Sequence, residues 1–320
     1  MKNTIEKALQ RQQEEKARQA EKSKASVDDT HQQASEGTAA DASAAATQEP
    51  VQPAKETSSN EQQKSPPKPS QQTIFELDLA ALEAKGHISL TGNRSKINEE
   101  YREIKRKLLQ NAFGALSSTL KNSNIIMVTS GRPSEGKTFT ATNLALSIAS
   151  EQDKTVLLVD ADVLKPNVLR TLGLPRQQGL MEYLIGEVSD IAEVLYPTNL
   201  DKLKIIPAGK SHHLSTEFLA SKKMESTIEE FANRYHDRVV VIDAPPLLGI
   251  NETAILANFA GQAVVVVEEN RAKLSDIQAC VERLNENMAI GFVVNKSVNF
   301  ESDGSGYYGY YGYAYAARGE

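Results

Sequence analysis

The chain has 320 residues, a formal net charge of −6, one cysteine and no tryptophan. An acidic balance argues against a general nucleic-acid binder, and a lone Cys280 excludes an intramolecular disulfide and suits a reducing compartment. No stretch approaches the roughly 18 apolar residues of a spanning helix, and the first residues lack the apolar run of a signal peptide. A cytoplasmic protein is expected, with any membrane association borrowed from a partner.

Residues 1–72 contain only Ile5, Leu9, Val27 and Val51 as branched aliphatics and no Phe, Tyr or Trp, while five of the twelve prolines fall between Pro50 and Pro69. Such a segment cannot bury enough apolar surface to offset ordering, which costs roughly 1–2 kcal/mol per residue for the backbone. It reads as a disordered arm. Its first 24 residues favour helix but offer only Ile5, Ala8 and Leu9 as a face, which fits a fraying helix or a short docking helix.

From Thr73 to Arg94 the apolar positions are sparse, and an extended connector with one short helix is expected. A clearer helix starts at Ser95, a fitting N-cap, with Ile97, Tyr101, Ile104 and Leu108 at helical spacing. Strands and helices then alternate. Strands are expected at "NIIMVTS", "KTVLLVD", "KLKIIPAG", "RVVVIDAPP", "QAVVVVEE" and "IGFVVNK"; helices at "KTFTATNLALSIAS", 180–185, 191–195, 221–235, "ETAILANFA" and "LSDIQACVERLNEN". The strands are continuous Val/Ile/Leu runs, the mark of a sheet covered on both faces. The fold class expected is α/β: a doubly wound, mostly parallel sheet.

"GRPSEGKT", Gly131 to Thr138, has the form G-x-x-x-x-G-K-[ST] between an expected strand and an expected helix. Its backbone N–H groups and the helix N-terminus would wrap nucleotide phosphates. Lys137 would bridge the β- and γ-phosphates, and the Thr138 hydroxyl would ligate Mg²⁺. Around them Gly131, Arg132, Glu135, Gly136 and Phe139 complete the expected ATP-binding stretch. Asp160, Asp162 and Asp243 stand at or just past strand ends, where ligands bind in open parallel sheets. One such Asp is often only a helix cap; three beside a phosphate loop point to a Mg–ATP site, with Asp243 holding the metal.

The chain closes on "GSGYYGYYGYAYAARGE", where Tyr307, Tyr308, Tyr310, Tyr311, Tyr313 and Tyr315 make up six of its ten tyrosines. Glycine makes ordering costly, so the segment is no core. Taken alone, it fits either a flexible phosphoacceptor or a Tyr/Gly low-complexity sticker.

Together the phosphate loop, the Asp160-Ala-Asp162 strand end, the "VVVIDAPP" strand and the tyrosine cluster resemble the bacterial tyrosine kinases. "DADVLKP", "LYPTNL", "IIPAGK" and "STEFLASKKM" look closest to autokinases of exosortase-associated exopolysaccharide loci. The resemblance spans roughly Ile97 to Tyr315. It implies a P-loop kinase domain over 95–300, with an oligomerisation helix at 95–116 and an autophosphorylation tail at 301–320. It also implies Asp160 as base or orienter for the attacking tyrosine, Asp162 as a Mg²⁺ partner, and trans-phosphorylation of the tail. The family's Glu-x-x-Arg-x-x-Arg oligomer helix is matched by Glu99, Arg102 and Lys105, with Lys in place of the last Arg; Arg106 is the alternative. Leu164 replaces a family Arg, and Lys165 follows it. Implied partners are further copies of the chain in a ring and a separate membrane-anchored polysaccharide co-polymerase that recruits and activates it. MinD/ParA-type ATPases are a more distant likeness, through which Asn295 would contact adenine. They supply the rival reading, a nucleotide-switched scaffold or positioning ATPase without kinase activity.

Overall fold

The computed structural model describes residues 73–91 and 95–297. The expected arm of 1–72 and tail of 301–320 lie outside the described residues. Strands β1 (Ile125–Ser130), β2 (Thr155–Asp160), β3 (Tyr196–Pro197), β4 (Leu203–Ile206), β5 (Arg238–Asp243), β6 (Gln262–Glu268) and β7 (Ala289–Asn295) form one sheet in the order β3-β4-β2-β5-β1-β6-β7. Every pairing is parallel except that of the two-residue edge strand β3 with β4. The expected α/β class therefore holds. The central strands β1 and β5 are buried at every position, as their unbroken apolar runs require. Edge strand β7 departs from that pattern: Phe292 is 45% and Val294 59% exposed.

The helices are α1 (Leu79–Ala84), α2 (Lys96–Phe113), α3 (Lys137–Ala149), α4 (Val168–Leu172), α5 (Leu180–Ile185), α6 (Ser215–Leu219), α7 (Lys222–Asn233), α8 (Asn251–Ala257) and α9 (Leu274–Val281). The expected helix at 191–195 is a single 3₁₀ stretch, Ile191–Val194. Helix α9 stops earlier than expected. Beyond Val281 the chain tightens into i→i+3 bonds, and the Asn285 side chain accepts from the Asn287 N–H, a turn-forming contact.

Helix α3 explains the layering. It is buried except at Phe139 and Ala149, although its sequence carries Thr140, Asn143 and Ser147. Asn143 and the backbone of Ser147 meet partners from the elements that cover it, while the buried Thr140 Oγ1 has no hydrogen-bond partner among the described residues. Asn143 accepts from the Ile88 N–H, and the Ser147 carbonyl accepts from Lys105 of α2. Ser95 caps α2 as expected, accepting from the Asn98 N–H. The 73–91 segment has the one short helix expected of it, α1, and packs more closely than its sparse apolar residues suggest: Phe75, Leu77, Leu82 and Ile88 all belong to the core. Phe75 stacks on Tyr196 with ring centroids 4.6 Å apart and forms a parallel bridge with Thr198 beside β3.

Candidate active site

Strands β2, β5 and β1 are neighbours, so their carboxyl ends deliver Asp160, Asp243 and the Gly131–Thr138 loop to one place. Asp160 and Asp243 are direct register partners in adjacent parallel strands. The sheet order reverses around β1, the kind of switch point where open α/β sheets bind ligands.

The loop is built for an anion. Gly136, the residue before α3, has φ +104°, and no side chain caps the helix N-terminus. The first backbone N–H groups of α3 have no partner within the helix and carry its positive dipole end. A Cβ on Gly136 would lie 1.9 Å from Asn295 Nδ2, so both the backbone angle and the close approach demand glycine. Glu135 is buried and ties the loop to itself, its Oε2 accepting from the Arg132 N–H at 2.7 Å. The Arg132 guanidinium points outward and grips Asp276 of α9 through two bonds of 2.8 and 3.1 Å. The half-buried Phe139 ring packs on His87 at 4.7 Å.

Lys137 Nζ sits 2.7 Å from Asp162 Oδ2 and 3.4 Å from Asp243 Oδ1, and Thr138 donates to Asp243 Oδ2 at 2.6 Å. Burial opposes the Lys137 charge, but Asp243, Asp162 and Asp160 outweigh it and hold its pKa above the ordinary lysine value. Asp243 is fully buried. Burial pushes its pKa up to about 6 against the pull of Lys137 and the Thr138 hydrogen bond. Asp160, 1% exposed, is pushed up to about 8 by burial first and by Asp243 next. Asp160 Oδ2 accepts from the N–H groups of Asn167 and Val168, and Oδ1 from that of Asp162, which fixes the turn after β2. Asp162 Oδ1 accepts from the Lys165 N–H. One ammonium thus faces three buried carboxyl groups, two of which hold their protons more tightly than usual and whose ionised forms a divalent cation would favour. With the Thr138 hydroxyl, the set offers the oxygen donors Mg²⁺ prefers.

Two clefts open on either side of this centre. One, of about 580 Å³, begins at Asp160 and continues past Leu164 and Leu169 to the Pro207–Ser211 loop. The other, of about 520 Å³, lies between α2 and β7 and is bounded by Tyr101, Phe139, Asn295 and Lys296.

Of the expected site residues, Gly131, Gly136, Lys137, Thr138, Asp160, Asp162 and Asp243 come together. Glu135 and Arg132 serve the loop from its back and outer side. Asn295 reaches the loop directly: its Nδ2 donates to the Glu135 carbonyl at 2.8 Å. On α2, exposed Arg102 and half-buried Glu99 pair with each other at 2.7 Å. Lys105 differs from expectation. It is buried and bonds the Ser147 carbonyl and Glu151, so it fastens α2 to α3 instead of standing free at a surface. The signal was in the spacing, since Tyr101, Lys105, Leu108 and Ala112 form one buried stripe. The six tail tyrosines lie outside the described residues. Sequence reasoning missed Asp276, the anchor of Arg132, because 144 positions separate the two.

Comparison with known proteins follows the same outline. The AAA domain family model matches residues 123–291. Tyrosine-protein kinase YwqD of Bacillus subtilis is 31% identical over 228 residues, 70% of this chain and 90% of that protein. Tyrosine-protein kinase wzc of Salmonella typhimurium is 32% identical over 193 residues, 60% of this chain; the match spans 26% of that relative's length. Among solved structures, the VpsO kinase domain aligns with a TM-score of 0.52 at 26% identity, covering 64% of this chain and all of that one.

Proposed function

For a chain that belongs to the AAA domain family and to the bacterial tyrosine-protein kinases, we propose an ATP- and Mg²⁺-dependent protein-tyrosine autokinase. The observation that carries this reading is the convergence of Lys137, Thr138 and three buried carboxylates behind an uncapped helix N-terminus. Backbone N–H groups of the Gly131–Thr138 loop bind the phosphates, and Lys137 leaves its carboxylate partners to bridge the β- and γ-phosphates. Thr138, Asp162 and Asp243 would hold Mg²⁺, which would supply positive charge against the negative charge developing on the transferred group. The cleft beside Phe139 and Asn295 takes the base.

Transfer breaks the bond between the γ-phosphorus and the ADP oxygen and forms one between that phosphorus and a tyrosine phenol oxygen. The phenol loses its proton in the process. Asp160, raised to about 8, is a better proton acceptor than an ordinary carboxylate, and it borders the cleft from which a phenol would arrive. The substrate we assign is the 307–315 tyrosine cluster of another copy of the chain, assembled through the exposed Glu99–Arg102 face of α2. Phosphorylation of this cluster would regulate exopolysaccharide synthesis and export. The partner is a separate membrane-anchored polysaccharide co-polymerase, which brings the kinase to the inner face of the membrane. Among the described residues no helix is long and apolar enough to cross a membrane.

The test is incubation of the purified chain with ATP and Mg²⁺, with and without the cytoplasmic segment of that co-polymerase, followed by phosphosite mapping. Phosphotyrosine on 307–315 is the expected result. ATP hydrolysis with no phosphotyrosine in either arm would instead favour a nucleotide-switched scaffold.

A further inference from the structure

The cleft that begins at Asp160 is larger than one phenol needs, and its other charged lining groups have the opposite sign. Arg170, Arg176 and Lys210 face it, and Asp160 is its one carboxylate. Neither guanidinium has a carboxylate partner among the described residues; Arg170 donates only to the Asn167 side-chain oxygen, at 2.7 Å. Lys210 pairs with Glu187 at 2.5 Å. The far wall is rigidly built. Buried Glu182 accepts from the Gly179 N–H at 2.7 Å and the Lys210 N–H at 3.0 Å, which clamps the Pro207–Lys210 loop against the start of α5. A Cβ on Gly179 would lie 2.0 Å from the Pro207 carbonyl oxygen, so the two segments are in direct contact.

Two unneutralised guanidiniums beside an acceptor site call for an anionic group on the acceptor segment. The unmodified tail does not carry one nearby. From Gly304 through Ala317 it has no charged residue, and Glu301 and Asp303 precede every tail tyrosine by at least four positions. Negative charge next to a waiting tyrosine arises only once a neighbouring tyrosine is phosphorylated. Each phosphate brings about −1.5 to −2 charge and three acceptor oxygens, the geometry a guanidinium fork matches bidentately. Tyrosines two or three positions apart in an extended chain are about 7–10 Å apart, the scale of such a cleft.

Resting on the kinase reading above, we propose that the Arg170–Arg176–Lys210 end of this cleft is a phosphotyrosine-binding subsite. It holds an already modified tail tyrosine while the next one is presented at Asp160. Transfer along the cluster is then self-priming: the first phosphate is the slow one, and each later acceptor docks through its phosphorylated neighbour. The subsite does no chemistry itself. Arg170 and Arg176 are positioning residues that act through the bound phosphate.

The test uses the full chain, dephosphorylated and without ATP, titrated against fluorescent peptides of residues 304–316. One peptide carries phosphotyrosine at position 310, one is unmodified, and one has Glu at 310. The phosphopeptide should bind at least about tenfold more tightly than either other peptide, the size of a charge-assisted pair. Arg170→Gln and Arg176→Gln should shrink that gap below about threefold, and Arg176→Lys should retain part of it, which separates lost charge from lost fold. Equal binding of the three peptides to the wild type overturns the subsite, as does an undiminished gap in both Gln variants. A Glu peptide as tight as the phosphopeptide overturns it in favour of a general acidic reader. Intact-mass time courses supply the kinetic readout: with Arg176→Gln the ratio of second to first transfer rate should fall several-fold, and singly modified chains should accumulate. Wild-type protein that makes no phosphotyrosine would count against the kinase reading alone, because the peptide gap is measured without turnover.

Discussion

Asp160 and Asp243 sit side by side on adjacent strands with almost no solvent, and both hold their protons more tightly in the fold than an ordinary carboxyl does. From the ordinary value near 3.8 up to about 8, the folded state therefore binds more protons than the unfolded chain. The contribution of these two groups to stability falls as pH rises through that window. A divalent cation requires the ionised forms, so its binding should release protons and strengthen over the same range. The rise in Tm produced by saturating Mg²⁺ with a non-hydrolysable ATP analogue should thus be larger at pH 8 than at pH 6. Thermal scans with and without ligand would measure it, and a constant increment would mean the acids are already ionised at pH 6.

Asn295 offers a second residue-scale prediction. Its amide donates to the Glu135 carbonyl and so fixes the phosphate loop from β7. Asn295→Ala removes one hydrogen bond of about 1 kcal/mol, which should weaken ATP binding roughly fivefold. An unchanged affinity in a calorimetric titration would make this clamp irrelevant to the loop. Residues of this kind mark the limit of what was legible beforehand. Lys137 and Thr138 follow from a local motif between a strand and a helix, and the acids from their places at strand ends. The identity of the group that meets Gly136 or Arg132 depends on a strand or helix more than 140 positions away.

At the scale of elements, Lys105 and Arg102 lie on the same helix and do different work. Arg102 is exposed beside Glu99, while Lys105 bonds the Ser147 carbonyl and Glu151 across to α3. Lys105→Ala breaks a mostly buried pair and should cost roughly 1–3 kcal/mol, a fall in Tm of several degrees. Arg102→Ala should leave Tm within about 1–2 °C of the wild type, as an exposed pair contributes little, yet shift the size distribution toward smaller species. Calorimetry beside light scattering separates the two, and a stability loss from Arg102→Ala comparable with that of Lys105→Ala would remove the distinction. The strands were legible as unbroken apolar runs and helix α2 by its helical spacing. In the 73–91 segment the one short helix was legible but the burial was not, because Phe75, Leu77, Leu82 and Ile88 follow neither period. Their burial is set by β3, α3 and the side chain of Asn143, which only the folded chain brings near.

At the scale of the whole molecule, the geometry bears on how substrate reaches the site. Strand β7 ends at Asn295, against the phosphate loop, so the chain leaves the described fold next to the cleft between α2 and β7. The cleft beside Asp160 opens on the other side of the phosphate loop. Reaching the Asp160 cleft of its own subunit from the end of β7 means crossing the phosphate loop. Transfer between copies is therefore expected. Lys137→Met removes the cation that bridges the phosphates, a transition-state contact typically worth several kcal/mol, and should abolish self-labelling. A second variant lacking 307–315 has no acceptors. Neither alone should gain phosphotyrosine on that segment. Mixed together with ATP and Mg²⁺, they should place phosphate on the tail of the Lys137→Met subunit, with an initial rate that rises with concentration. An unlabelled mixture, beside intact protein whose labelling rate per chain does not change on dilution, would mean that each tail folds back into its own site. The Glu99–Arg102 face of α2 would then be a solvated helix surface and nothing more.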